Sequence, residues 1–225
     1  RQMCIRDREW DVRMYFLLNG AVHDAAVAAW GLKRQFDTSR PVSVIRHMGQ
    51  LGQCSDPSLG SYHPLGLPLV EGLIMLVTEE TVVAGGAHAH LDASSIGQVA
   101  VRAWRAQAME KDSKPSGVDW ILAHNWMPYQ QATFVTPAFA GFVSGHSAFS
   151  RAAAEILTRI TGSEFFPGGL MEHAIEPGWL EFEQGPSEPM VLQWATYFDA
   201  SDEAGRSRLY GGIHIPADDF AGRKV

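Results

Sequence analysis

The chain has 225 residues, 46% of them apolar and 19% charged, with a formal net charge of −7. Seven Trp, eleven Phe and five Tyr supply too much apolar area for a solvated, disordered chain, and the acidic balance excludes a nucleic-acid partner held by bulk electrostatics. Leu65 to Val77, the longest apolar stretch, is broken by Gly66, Pro68, Glu71 and Gly72. It falls short of the roughly 20 residues that cross a bilayer, so no membrane span is expected. Cys4 and Cys54 have neither disulfide-framework nor zinc-ribbon spacing.

Met3-Cys4-Ile5-Arg6-Asp7-Arg8 resembles the in-frame translation of a transposase adaptor used in sequencing libraries. Residues 1–8 are therefore set apart, and a single domain is expected over 9–225 within a longer protein. The first predicted helix runs from Asp11 to Lys33. Val12, Tyr15, Phe16, Asn19, Val22, Ala26, Ala29, Trp30 and Lys33 recur at helical spacing and define its inward face. Lys33 is an odd residue to end that face. His23 and Asp24 read as a hydrogen-bonded core pair. Gln50 to Pro68 is a loop, and Pro68 opens a predicted second helix to about Val83, stopped by Gly85 and Gly86.

His88 and His90, with Asp92, look like a metal cluster but lack a fourth partner, so they are expected to be solvated loop histidines. A third helix is predicted over about Ser94–Met109, a polar loop over Lys111–Val118, and a short helix capped by Asp119 through Trp126. Thr133 to Val143 reads as an extended lead into Ser144-Gly145-His146. A helix follows, with His146, Phe149, Ala153, Ile156, Leu157 and Ile160 on one side. Gly162 to Pro189 reads as a long irregular excursion, and Met190–Asp199 as a last helix. Strand signals are weak, and the expected fold is mainly α: a single-domain helical bundle.

Three separated segments carry the chemistry: Lys33-x6-Arg40-Pro41, Ser144-Gly145-His146, and Ser207-Arg208-x5-His214-x3-Asp218. They combine three permanent cations, a hydroxyl, two imidazoles and the unsatisfied N–H groups of a helix N-terminus. Arginine forks and helix N-termini both match tetrahedral oxyanions, and lysine adds a compact charge. Convergence of these groups would give an acidic protein a local cationic pocket for a phosphate-like ion.

These segments resemble the signature shared by vanadium-dependent haloperoxidases and type 2 phosphatidic acid phosphatases: Lys-x6-Arg-Pro, Pro-Ser-Gly-His, and Ser-Arg-x5-His-x3-Asp. Ten of its eleven fixed residues occur in order; Val143 stands where the pattern has proline. Three segments with correct internal spacing are a strong match. Neighbouring stretches, Asn19 to Asp24, Phe134 to Pro137 and Tyr210 to His214, resemble the bacterial haloperoxidase-like branch. The resemblance implies that His214 ligates vanadium, with Asp218 fixing its tautomer. It implies that Lys33, Arg40, Ser144, the Gly145 N–H and Arg208 bind the vanadate oxygens, and that His146 takes the proton of incoming peroxide while Lys33 polarises it.

The implied cofactor is vanadate. The implied partners are hydrogen peroxide, a halide and a small organic acceptor. Phe139, seven residues before His146, leans toward the chloroperoxidase-like arrangement. Family members are commonly exported, so a secreted or periplasmic location is expected. In the phosphatase branch the same pocket would bind a phosphate ester, with His214 as nucleophile and His146 protonating the leaving group. A non-catalytic oxyanion-binding module would lack one of the histidines or cations, and all are present here. His124, with Trp126 and Tyr129, could line an entrance.

Overall fold

The computed structural model describes residues 2–105, 117–131, 133–181 and 183–225, and side chains from residue 8 onward. The polar loop expected at 111–118 lies outside these residues except for its last two positions. Helix dominates at about 41%, but strands make up about 15%, so the chain is not purely helical. By its contacts it divides into two compact units. One comprises Arg1–Thr38, Ala138–Trp179 and Gly185–Val225; the other comprises Ser39–Pro137 and Leu180–Gln184.

In the first unit, α1 (Gln2–Phe36) is longer than its periodic stretch. Of the inward face expected, only Ala29 and Lys33 near the C-terminal end are buried; Val12, Tyr15, Phe16 and Trp30 are exposed, and Ala25, outside that face, is buried. His23 and Asp24 are exposed too, with a loose 3.4 Å contact, and form no core pair. α3 (Gly145–Thr161) begins at Ser144, whose hydroxyl accepts from the Ser147 N–H, and ends at Gly162 in the left-handed region (φ 73°).

Val143, at the position where proline was expected, is fully buried and packs with Ala29 and Ala148 against Leu32, Phe142, Phe149 and Ala221. The excursion after α3 contains β4 (Met171–Ile175), paired antiparallel with β5 (Met190–Trp194). The helix expected over Met190–Asp199 is therefore a strand. α4 (Tyr197–Tyr210) starts only after a capping box in which Thr196 and Asp199 bond reciprocally. α5 (Pro216–Gly222) opens on proline.

The second unit packs α2 (Pro41–Leu51) beside an antiparallel sheet in the order β1 (Ile74–Leu76), β2 (Val99–Trp104), β3 (Val118–Leu122). In its register Val101 faces Ile74 on one side and Ile121 on the other. Leu67, Val99, Val101 and Ala123 form the core, with Met48, Leu76 and Trp126 packed on it. Two of the helices expected here are thus strands with flanking turns, and the third, from Pro68, gives way to turns and β1. Gly97 at φ 86° breaks any helix through Ile96 and Val99. Gly49 lets α2 come close, since a Cβ there would stand 2.6 Å from the Ala123 Cβ.

His88, expected in solvent, is fully buried and sits edge-on to Trp120 at 4.8 Å. Thr81 Oγ1 gives its only hydrogen to the Thr78 carbonyl, so His88 Nδ1 must donate to it at 2.9 Å. The remaining nitrogen, Nε2, is buried with no partner among the described residues. Burial, and then the nearby His90, hold the His88 pKa below its ordinary 6.5. A lowered folded pKa means that protonation favours the unfolded chain, so stability is lost as pH falls below about 6.5. Urea unfolding is expected to show a lower midpoint at pH 5 than at pH 7.5, and His88→Asn to flatten that dependence. An unchanged slope in the variant would contradict the buried neutral ring.

Candidate active site

All but one of the expected site residues belong to the first unit. Arg40 is buried in the second, immediately before α2. Lys33 ends the buried part of α1 at 4% exposure, so its ammonium needs oxygen partners. It donates to the carbonyls of Ala140 (2.8 Å) and Gly141 (3.0 Å), and it lies over the rings of Phe139 (5.3 Å) and Trp30 (5.9 Å). Gly141 N–H and Phe142 N–H in turn bond Thr38. The end of α1 and the segment leading into Ser144 are thereby tied together.

The second and third motifs meet directly. The backbone N–H of Ser144 donates to the carbonyl of Asp218 at 2.9 Å. His214 Nδ1 and Asp218 Oδ2 are 2.9 Å apart, both side chains being buried. An ionised carboxylate can only accept, so Nδ1 carries the hydrogen, and in the neutral ring Nε2 holds the lone pair. At the start of α3, the Ser147 N–H bonds Ser144 Oγ and the Ala148 N–H bonds the Ser144 carbonyl. The N–H groups of Gly145 and His146 find no acceptor among the described residues. Because Ser144 Oγ only accepts from Ser147, its own hydrogen remains available to a ligand.

Arg208 lies in the last turn of α4. Its Nε is buried and has no acceptor among the described residues. A buried donor on a permanent cation costs free energy unless something accepts from it.

His146 is exposed, not turned into the core as its spacing predicted. The protein around it nonetheless strips hydration from the ring. That loss, then the positive charge of Arg208, then His214, lower its pKa from 6.5. At neutral pH the ring is a neutral base.

A set of residues not singled out from sequence clasps these elements together. Ser147 Oγ donates to Asp219 Oδ1 at 2.7 Å, and Arg223 bonds the same carboxylate through Nη2 (2.7 Å) and Nε (3.0 Å). Arg223 also pairs with Asp202 of α4 at 2.6 Å. Gly205 leaves room for this cluster, since a Cβ there would stand 2.3 Å from Asp219 Oδ1. The available signal was Asp219 and Arg223 at i and i+4 beside the motif aspartate. Its meaning depends on Ser147, 72 residues away. His124 lines a separate pocket of the second unit with Gln50, Tyr62 and Gln98.

Comparison with known proteins adds family and fold. The family model described as the VCPO second helical-bundle domain matches residues 13–225. Two solved structures of a bacterial vanadium-dependent chloroperoxidase superpose on the chain. The apo form has a TM-score of 0.58 over 89% of this chain, and the holo form 0.60 over 91%. Each is 18% identical, a likeness of fold. The chain spans about a third of their length, 31% in both cases. No curated protein matches the chain by sequence.

Proposed function

Because this chain belongs to the vanadium haloperoxidase-like family, we propose that it binds vanadate beside Arg208 and uses hydrogen peroxide to oxidise a halide to hypohalous acid. The observation that supports this most is the buried, partnerless Nε of Arg208, set near His146 and His214 at the N-terminus of α3. The residues fit the group. Arg208 offers a permanent cation, Gly145 and His146 offer backbone donors, Ser144 a hydroxyl, and His214 a lone pair whose direction Asp218 sets. Among the described residues no cluster of three His, Cys, Asp or Glu side chains is placed to hold a metal cation. Nor is any helix among them long and apolar enough to cross a membrane.

Bound vanadate would supply a Lewis-acidic centre that activates peroxide at neutral pH. His214 would ligate it through Nε2. His146, neutral at the outset, would take the proton of incoming peroxide. Lys33 would add positive charge from the Ala140–Gly141 side as negative charge develops. Across the turnover the peroxide O–O bond breaks and the halide loses two electrons. One oxygen leaves in hypohalous acid and the other as water, with the proton held by His146 returned and one further proton taken up from solvent.

Binding tests this without turnover. Orthovanadate and phosphate are expected to compete for one site. Phosphate should raise the His146 titration midpoint, followed by imidazole NMR, because the anion offsets Arg208. Failure to compete, or a His146 midpoint insensitive to phosphate, would refute the assignment of the pocket.

A further inference from the structure

α3 opens without the acidic residue that often closes a helix start. Its cap, Ser144, accepts from the N–H of Ser147, but Ser147 carries a hydroxyl where a capping box has Glu or Gln. A carboxylate on that residue would stand beside the Gly145 and His146 N–H groups and repel an oxyanion. Here the carboxylate comes from another helix. Ser147 Oγ donates to Asp219 Oδ1 of α5 at 2.7 Å, and Arg223 shares the charge of that group through Nε and Nη2.

Ser147 is held tightly in this arrangement. It is fully buried, and glycines of α4 and α5 close on it. A Cβ on Gly222 would stand 3.0 Å from the Ser147 Cβ and 2.6 Å from the Ser144 carbonyl oxygen, and one on Gly205 3.1 Å from the Ser147 Oγ. The bonds close a ring. Ser147 N–H donates to Ser144 Oγ, Ser144 N–H donates to the Asp218 carbonyl, and Asp219, next along the chain, accepts the Ser147 hydroxyl. The Asp218 carboxylate meets His214 at 2.9 Å and accepts from the Ile215 N–H at 3.3 Å. The ring thus joins the first turn of α3, with its available Gly145 and His146 N–H groups, to the segment that aims His214.

We propose that Ser147 is a positioning residue of the oxyanion site: it touches no ligand, and through this ring it sets the α3 donors against His214. The role rests on the oxyanion reading of the site. A tetrahedral ion engages donors on two elements at once only where their directions are fixed beforehand, because a loose donor has to be ordered at the expense of affinity.

The test is titration of the whole protein with orthovanadate and with phosphate, in the unaltered chain, Ser147→Ala and Arg223→Lys. Ser147→Ala is expected to weaken binding of both anions about tenfold or more, the usual effect of losing a group that orients a ligand. Arg223→Lys loosens the same carboxylate from its far side. It is expected to lower the urea midpoint at least as far as Ser147→Ala while leaving anion affinity within about twofold, since lysine keeps the charge and loses the fork. A purely structural role would move affinity in step with stability in both variants. Amide NMR supplies a second readout: phosphate should shift the Gly145 and His146 N–H signals together in the unaltered protein, and at saturation by less in Ser147→Ala. If Ser147→Ala does not fold, Ser147→Cys, which places a much weaker donor there, decides by the same comparison. Unchanged anion affinity in a folded Ser147 variant would overturn the positioning role alone, as would an equal loss in Arg223→Lys. An unaltered protein that binds neither anion would instead refute the oxyanion reading itself.

Discussion

Alanine at His214 is expected to abolish vanadate binding and turnover together, whereas alanine at His146 should leave binding within a few-fold and remove nearly all turnover. The two imidazoles differ in their surroundings. His214 is buried, and Asp218 fixes its tautomer at 2.9 Å, so its Nε2 lone pair is aimed rather than free to rotate. His146 is exposed, and it is kept neutral by lost hydration, Arg208 and His214. A ligand holds the group, while a base moves a proton; loss of the base typically costs about 100- to 10,000-fold in rate. Equilibrium titration with orthovanadate and steady-state rates on both variants separate the two roles. Turnover retained by His214→Ala would refute the ligand assignment, and vanadate binding lost in a folded His146→Ala would refute the division of labour.

Asp219→Asn is expected to be the most damaging substitution for stability. Its carboxylate is 1% exposed and is met by Arg223 and Ser147. Burial alone would raise its pKa, yet the hydrogen bonds from Arg223 and Ser147, with the charges of Arg223 and Arg206, hold it below its ordinary 3.8. A lowered folded pKa gives stability that is present above about pH 3.8 and lost only as acid protonates the group. The pair therefore operates at neutral pH. Removing one partner of a buried pair costs about 3–5 kcal/mol, because the other charge is left uncompensated. Here that charge would be Arg223, which retains only Asp202. Urea unfolding measures the loss, and a change below about 1 kcal/mol would show that the cluster does not hold α3, α4 and α5 together. Since Ser147 follows His146 and Asp219 follows Asp218, a folded Asp219→Asn protein should also bind vanadate more weakly.

The legibility of this chain differed by element for physical reasons. Helices announced by caps and long periodicity, α1 and α3, were readable, and so was the order of the three motifs. The strands were not. Ile96, Val99, Ala100 and Ala103 satisfy a helical stripe, while Val99, Val101 and Ala103 satisfy alternation equally well; only Gly97 and the pairing with Val118–Leu122 decide between them. Met190–Trp194 was ambiguous in the same way until its partner β4 was known.

At the site, ligand-type residues could be named because their spacing within each segment is local. Ser144 N–H on the Asp218 carbonyl, the Ser147–Asp219–Arg223 clasp and the orphaned Arg208 Nε could not. Each depends on residues far apart in sequence. Burial of His88 was missed because its cause, a face against Trp120, lies 32 residues downstream.

The most direct measurement is bromide- and chloride-dependent halogenation of a dye by hydrogen peroxide, with phosphate-free protein to which orthovanadate is added, beside a vanadate-free tube given a chromogenic phosphate ester. Halogenation that requires vanadate and is inhibited by phosphate is the predicted result. Ester hydrolysis blocked by vanadate, with no halogenation, would contradict the peroxidase reading and give the same residues the phosphatase roles.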